Sequence, residues 1–372
     1  MTRLLRLLMV IPHNPIRVGS PKSIIHHPAF YRKLSIFATF FDYIVVFRGS
    51  LGNSVIRKLK LIHNGKDYTI IDIPIIYHGI LLYTLLFIVH FTCLIFRLKS
   101  LKNVKLYLLC FNHAHLYSMY AKILSAILKL KIISFYVTTP INFKERILYF
   151  VSKIMDTLSI TNHPLIAFKL KLRKPIIIPN VPDKMFFCNV SPESRNKKTL
   201  LLIARLTREK GTDIAIAIIA ELSKHFPDVK LLIVGDGPLR RHFEKLALKY
   251  QLLGKNVFFL GYKPLNDVLS LMKKAGALLY TSIREYFPNV LIEAMACNLP
   301  VLVFSTDAYR WIIGRPLLTS TKISKITKII ANLLMNDSFY NEQVHIQKEH
   351  LQKLLNIYRI QSEVLKELIL KS

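Results

Sequence analysis

Residues 200–222 read LLLIARLTREKGTDIAIAIIAEL. Leu200 to Ile203 form an unbroken apolar run, as a strand buried on both faces would. Arg205, Arg208 and Lys210 then crowd a short polar loop, Gly211 interrupts it, and an apolar stretch of helical length follows. A strand apolar on both sides belongs in a parallel sheet covered by helices above and below. The same unit recurs downstream at VKLLIVG (229–235), NVFFLG (256–261), GALLYTS (276–282) and PVLVFS (300–305). Upstream, LLMVI (7–11), YIVVF (43–47), YTIIDI (68–73), VKLYLLCF (104–111), KIISFYV (131–137) and PIIIP (175–179) alternate with helical patterns in the same way.

This alternation predicts an α/β protein with two doubly wound domains. The chain's 372 residues suffice for two cores of ordinary size. Periodicity fails across 178–198, where two prolines and a polar run mark a connector. The expected organisation is an N-terminal domain over 1–180 and a C-terminal domain over 181–350. An amphipathic helix over 351–372 is expected to pack back on the first domain. Two such domains in tandem imply a cleft between them, and such sheets bind ligands beyond the carboxyl ends of their strands.

The charge is lopsided. Lys and Arg number 53 against 22 Asp and Glu, a formal +31. Residues 1–175 carry 25 of those bases against five acids (Asp42, Asp67, Asp72, Glu145 and Asp156), an excess of twenty. A polyanionic partner follows for that half: nucleic acid, a phosphorylated substrate or an anionic membrane surface. Four cysteines, Cys93, Cys110, Cys188 and Cys297, lie far apart with no C-x-x-C, which fits a reducing compartment and argues against a disulfide framework or a zinc site.

Two apolar stretches bear on the membrane question. The opening MTRLLRLLMVIPHNP resembles a signal peptide, but its apolar part runs only from Leu7 to Ile11, and a first buried strand fits it better. Residues 73–96 contain no charged side chain, and about 20 such residues can span a bilayer. Pro74, His78, Gly79 and His90 interrupt the run and strands flank it, so a helix packed on the sheet is expected there, with one face available to lipid.

The chemistry concentrates in the second half. Arg205 and Lys210 project from a strand's carboxyl end and suit phosphate neutralisation. Gly235 and Gly237 in GDGP permit a tight turn or a close backbone approach. Gly261 and Tyr262 end another strand, where a backbone edge could hold a nucleobase. In REYFPNVLIEAMACNLP (284–300), Glu285 falls in a loop, Asn289 and Val290 in a first helical turn, and Glu293 one turn further on. A helix N-terminus favours an anion such as a diphosphate, and Glu293 could reach a ribose diol. A hydrolase would use paired carboxyls about 5 to 9.5 Å apart, whereas eight helical residues rise about 12 Å, which disfavours that reading.

Together, Arg205…Lys210-Gly211, Gly235-Asp-Gly-Pro238, Val257-Phe-Phe-Leu-Gly261 and Glu285-x7-Glu293-Ala-Met-Ala resemble the C-terminal domain of the family 4 retaining glycosyltransferases, of GT-B fold, over residues 199 to about 305. The resemblance implies two Rossmann-like domains facing a central cleft and transfer of a sugar from a nucleotide-sugar donor with retention. It implies that Arg205 and Lys210 bind the diphosphate and that Glu285 contacts the donor sugar. The amides of Asn289 and Val290 would hold phosphate, Glu293 the ribose and the Tyr262 backbone the base. No metal and no other cofactor is expected. Gly19 is the single glycine of the acceptor-side loop, where relatives often have two. Ala204 and Cys297 replace customary glycines, and Thr138 stands where many relatives place a histidine. NHAH (112–115) supplies His113 and His115 after a strand instead.

The charge and the motifs together predict a glycan or lipid-phosphate acceptor and peripheral attachment to the cytoplasmic face of a membrane. Nucleic acid is not an expected partner, because Tyr and Phe sit within apolar runs and no recognition module occurs. A sugar-nucleotide epimerase and a non-catalytic nucleotide-sugar-binding paralogue remain as alternatives, followed by a nucleic-acid-binding protein, which the formal +31 alone suggests.

Overall fold

The computed structural model describes residues 5–11, 34, 36–37, 40–51, 57–63, 66–75, 80–100, 104–111, 116–140, 143–188, 190–283, 285–304, 309–314 and 322–371. The chain divides into two compact units, Met1–Asn180 with Tyr358–Ser372, and Val181–Ile357.

The first unit is built on an eight-stranded sheet. Its strands are β1 (Leu5–Ile11), β2 (Tyr43–Leu51), β3 (Arg57–His63), β4 (Lys66–Ile75), β5 (Val104–Phe111), β6 (Lys131–Tyr136), β7 (Leu158–Thr161) and β8 (Ile176–Ile177), in the spatial order β3-β4-β2-β1-β5-β6-β7-β8. All neighbours pair parallel except β3 with β4, which form an antiparallel edge hairpin. Helices α1 (Ile80–Lys99), α2 (Leu116–Ile127), α3 (Phe143–Ile154) and α4 (Pro164–Leu170) connect the strands. The reason for the apolar runs is visible in β5. Leu106, Leu108 and Cys110 enter one core with α1 and α2, while Tyr107, Leu109 and Phe111 enter the opposite core. Both faces are covered, so alternation by two yields no polar residue.

The uncharged 73–96 stretch divides between the end of β4 and α1. Phe91 and Ile95 of α1 are buried against the sheet, while Val89 and Phe96 are exposed. Among the described residues, no helix is long and apolar enough to cross a membrane.

The second unit holds a five-stranded, all-parallel sheet of β9 (Asn196–Ile203), β10 (Lys230–Val234), β11 (Val257–Gly261), β12 (Ala275–Tyr280) and β13 (Val301–Val303), in the order β11-β10-β9-β12-β13. Its helices are α5 (Thr212–Leu222), α6 (Arg240–Lys249), α7 (Leu265–Lys274), α8 (Asn289–Ala296), α9 (Arg310–Ile313), α10 (Ile323–Met335) and α11 (Asp337–Lys371). Helix α5 buries Ile216, Ile218, Ile219 and Leu222, each contributing about 1.5–3 kcal/mol. Edge strand β13 is completed by a side chain: Gln347 accepts from the Val301 amide at 3.0 Å and donates to its carbonyl at 3.1 Å. The Sγ atoms of Cys188 and Cys297, far apart in sequence, lie 3.1 Å from each other as free thiols.

Residues 351–371 of the C-terminal segment are helical. They belong to the 35-residue helix α11, whose Leu365 and Ile369 lie in a core of the first unit. Tyr107 donates to the Ile369 carbonyl at 3.3 Å.

Candidate active site

Strand order locates the site within the second unit. Chain progression runs from β9 outward through β10 to β11, then returns to the other side of β9 for β12 and β13. The switch point therefore lies between β9 and β12, the position beyond whose carboxyl ends doubly wound sheets bind ligands. The loops leaving those two ends carry Arg205 and Lys210 on one side and Glu285 on the other.

The two loops are laced together. Thr281 Oγ1 donates to the Lys210 carbonyl at 3.0 Å, and Ser282 Oγ and the Ile283 amide both donate to the Glu209 carbonyl, at 3.2 and 3.0 Å. Gly211 makes the approach possible: at φ +63 it caps α5, and a Cβ there would sit 2.3 Å from the Thr281 carbonyl oxygen. Across this seam the Lys210 ammonium pairs with the Glu285 carboxylate. The second oxygen of Glu285 accepts from Tyr280, and its amide donates to Tyr309 Oη at 3.2 Å. Tyr309 in turn donates to the Ser282 carbonyl at 3.2 Å. The Tyr280 and Tyr309 rings meet edge to face at 5.2 Å.

Burial and the Glu285 charge push the Tyr280 phenol well above its ordinary range, and the same causes push Tyr309 up to about 12. Both stay neutral donors at any physiological pH: Tyr280 and Lys210 hold the two oxygens of the Glu285 carboxylate, and Tyr309 ties the Glu285 amide to the Ser282 carbonyl. A hydrogen bond from Thr207 holds the Glu209 carboxyl below its usual range, with Arg205 and Lys210 assisting.

The expected site residues fall as follows. Lys210 and Glu285 meet, with side chains 13% and 33% exposed. Arg205 stands apart and is 64% exposed, 3.8 Å from Glu209, a solvent-facing pair that holds it weakly. Asn289 and Val290 open α8 behind Pro288, whose side chain cannot cap that N-terminus. Glu293 follows one turn later and is buried. Tyr262 is exposed after Gly261, whose carbonyl accepts from the Gly235 amide at 2.8 Å. Gly19, His113 and His115 lie outside the described residues. Thr138 is exposed, 3.3 Å from Tyr149 Oη.

The GDGP turn has a packing role. A Cβ on Gly235 (φ +127) would lie 1.9 Å from the Ala204 carbonyl oxygen, and one on Gly237 would lie 2.6 Å from that of Leu206. The Leu206 amide donates to the Asp236 carbonyl at 3.0 Å, so this turn buttresses the loop that carries Arg205. Sequence reasoning missed Tyr280 and Tyr309. Tyr280 reads as one more apolar residue of a buried strand, and only its place at the strand's last position hints that the hydroxyl emerges into the loop. Among the described residues, no three His, Cys, Asp or Glu side chains gather as a metal site requires.

Residues 184–348 match the family described as glycosyl transferases group 1. This segment is a glycosyltransferase group 1 domain. A stretch of 126 residues, 34% of the chain, is 32% identical to a phosphatidylinositol N-acetylglucosaminyltransferase subunit of Homo sapiens, of which it covers 26%. The match therefore spans about a quarter of that relative's length. Sucrose-phosphate synthase from Thermosynechococcus elongatus superposes on 99% of the chain, over 100% of its own, with a TM-score of 0.71 at 16% identity. TarM from S. aureus, solved in complex with UDP, superposes on 75% of the chain and 59% of its own at a TM-score of 0.61 and 17% identity. The α/β architecture is thus GT-B, with the group 1 domain as its second Rossmann-like sheet.

Proposed function

We propose that the chain is a retaining, metal-independent glycosyltransferase that moves a sugar from a nucleotide-sugar donor to a lipid-linked or membrane-associated acceptor. The observation that carries this reading is the Lys210–Glu285 pair spanning the β9/β12 switch point of the group 1 domain. A nucleotide sugar has a charged middle and neutral, hydroxyl-rich ends. Arg205 and Lys210 supply cations for the diphosphate, and the N-terminus of α8 at Asn289 and Val290 supplies amides and a positive dipole end. Glu285, fixed by Tyr280 and Tyr309, orients the donor sugar, Glu293 takes the ribose, and Tyr262 offers backbone to the base.

In the transfer step the acceptor oxygen bonds to the anomeric carbon as the bond from that carbon to the diphosphate oxygen breaks, and the acceptor's proton passes to the departing phosphate. Arg205 and Lys210 stabilise the charge that develops on that oxygen. The resemblance to family 4 is what supports retention. The lipid acceptor and peripheral attachment at the cytoplasmic face are supported by the excess of twenty positive charges on residues 1–175 and by the phosphatidylinositol named for the human relative.

The test is a panel of nucleotide sugars incubated with the full chain and phospholipid vesicles. Transfer to lipid, with release of a nucleoside diphosphate, is the expected result. Conversion of the donor to an isomeric sugar nucleotide without any acceptor would establish an epimerase instead.

A further inference from the structure

The first unit contains a second cationic site, remote in sequence from the group 1 domain. A cavity of about 500 Å³ opens between α3 and the end of α4, within the size range of small-molecule sites. Arg146, Lys153, Lys169 and Lys171 line it together with Tyr149 and Phe150, and none of the described residues lining it is acidic. Its floor is fixed from beneath. Tyr136 donates to Asp156, whose other oxygen pairs with the fully buried Lys122, and Ser134 and Ser152 hold the same ammonium. Lys153 reaches the Leu170 carbonyl at 3.0 Å and so ties α3 to the end of α4. Four cations are therefore gathered on a rigid frame whose buried charges cancel.

The rim is apolar and exposed. Phe143, Ile147, Phe150, Val151 and Ile154 of α3 all face solvent, Phe143 at 77%. At 3.6 residues per turn these five span an arc of about 100°, with Arg146 and Lys153 bordering one edge. Phe168 of α4, next in sequence to Lys169, is 80% exposed. The opposite side of α3 already fills its core duty through Tyr149 and Ser152. A stripe of this size is unexplained by folding and marks an interaction surface.

We infer that α3 lies in the interface of an anionic membrane, with its apolar stripe among the acyl chains and the adjacent cavity holding a lipid phosphate head group. Apolar stripe and cationic flank are the two components of interfacial helix binding, and an arginine with three lysines complements a phosphate. The excess of positive charge on residues 1–175 favours an anionic lipid over an apolar protein face as the occupant. This deepens the reading above, and rests on it for the lipid's place on the acceptor side of the reaction.

The test uses the full chain in two variant forms, sedimented with phosphatidylcholine vesicles and with vesicles containing phosphatidylglycerol or phosphatidic acid. One variant carries Phe143→Gln, Ile147→Gln and Ile154→Gln; the other carries Arg146→Ala, Lys169→Ala and Lys171→Asn, asparagine being chosen because Lys171 has φ 49. The first should lose most binding to every vesicle. The second should lose the preference for anionic lipid, its partition coefficient falling by about a hundredfold at about fivefold per cation. Circular dichroism unchanged from wild type shows that both are folded. Wild-type binding by both variants overturns the inference. So does protection of Arg146 and the lysines from chemical modification by glycerol phosphate when no vesicle binds, which marks a soluble ligand. Donor turnover is read separately: a chain that docks through α3 yet consumes no nucleotide sugar upholds this surface and overturns the transferase reading.

Discussion

Lys210 and Glu285 are 75 residues apart in sequence and form a direct ion pair across the switch point of the second sheet. On the proposed reading the pair has a functional consequence. A diphosphate that took Lys210 would draw it from Glu285 and free a carboxylate oxygen for sugar hydroxyls, which would couple binding of the donor's middle to orientation of its end.

Glu285→Gln separates those two roles. The amide can still accept from Tyr280 and keeps the size of the side chain, so the fold should persist. It no longer competes for Lys210. Transfer should fall by about a hundredfold or more, the scale of one lost electrostatic contact to the reacting centre. Affinity for the nucleoside diphosphate should stay level or rise. Steady-state kinetics and calorimetric titration measure the two quantities; transfer within a factor of two of wild type would remove Glu285 from the mechanism.

Arg205→Ala should weaken nucleoside diphosphate binding by about ten- to a hundredfold, as expected for a charged hydrogen bond of about 1.5–3 kcal/mol. Its side chain is mostly exposed and, among the described residues, pairs weakly with Glu209, so folding should be unaffected. Lys210→Ala should cost less affinity, because the wild-type ammonium must first leave Glu285. Titration of both variants checks the order, and unchanged affinity in both would place the diphosphate elsewhere.

The sequence was most readable where burial is two-sided. The apolar runs at 7–11, 104–111, 199–204 and 229–235 all became strands, because a covered parallel strand cannot hide its composition. Strand β3 was not legible because RKLKLIH alternates lysine with leucine instead of forming an apolar run. Strand β7, only four residues long, is too short to show a period. At the site, Lys210 and Glu285 were legible as charges at strand ends, but their pairing depends on strand order, which composition does not encode. The two tyrosines that hold Glu285 were hidden for a similar reason: Tyr309 reaches the loop from a separate segment before α9.

Gly235→Ala should destabilise the second unit more than Gly254→Ala does. Both glycines have positive φ, at +127 and +75, so both variants carry a backbone penalty of about 1–3 kcal/mol. Only Gly235 also faces a backbone oxygen, Ala204's, whereas none of the described residues lies within 4 Å of a Cβ at Gly254. Urea denaturation followed by circular dichroism should show the larger fall in midpoint for Gly235→Ala. Equal falls would mean that the Arg205 loop moves aside readily and that the GDGP turn does not buttress it.

Tyr309 gives the fold a sensitivity to alkali. Its phenol is raised from 10.0 to about 12 by burial and by the Glu285 charge. Between those values the unfolded chain releases the proton while the folded chain keeps it, so the unfolded state binds fewer protons and stability falls as pH rises. The slope for one such group is about 1.4 kcal/mol per pH unit, so about 3 kcal/mol is lost across the window. Tyr309→Phe removes this group, together with the hydrogen bonds to Glu285 and Ser282. The variant should therefore be less stable than wild type near neutrality, and the gap should close as pH climbs from 10 to 12. Unfolding free energies of the two proteins measured across that range decide the point. Curves that stay parallel would show that the phenol ionises without disturbing the fold, and that Tyr309 does not hold the Glu285 loop.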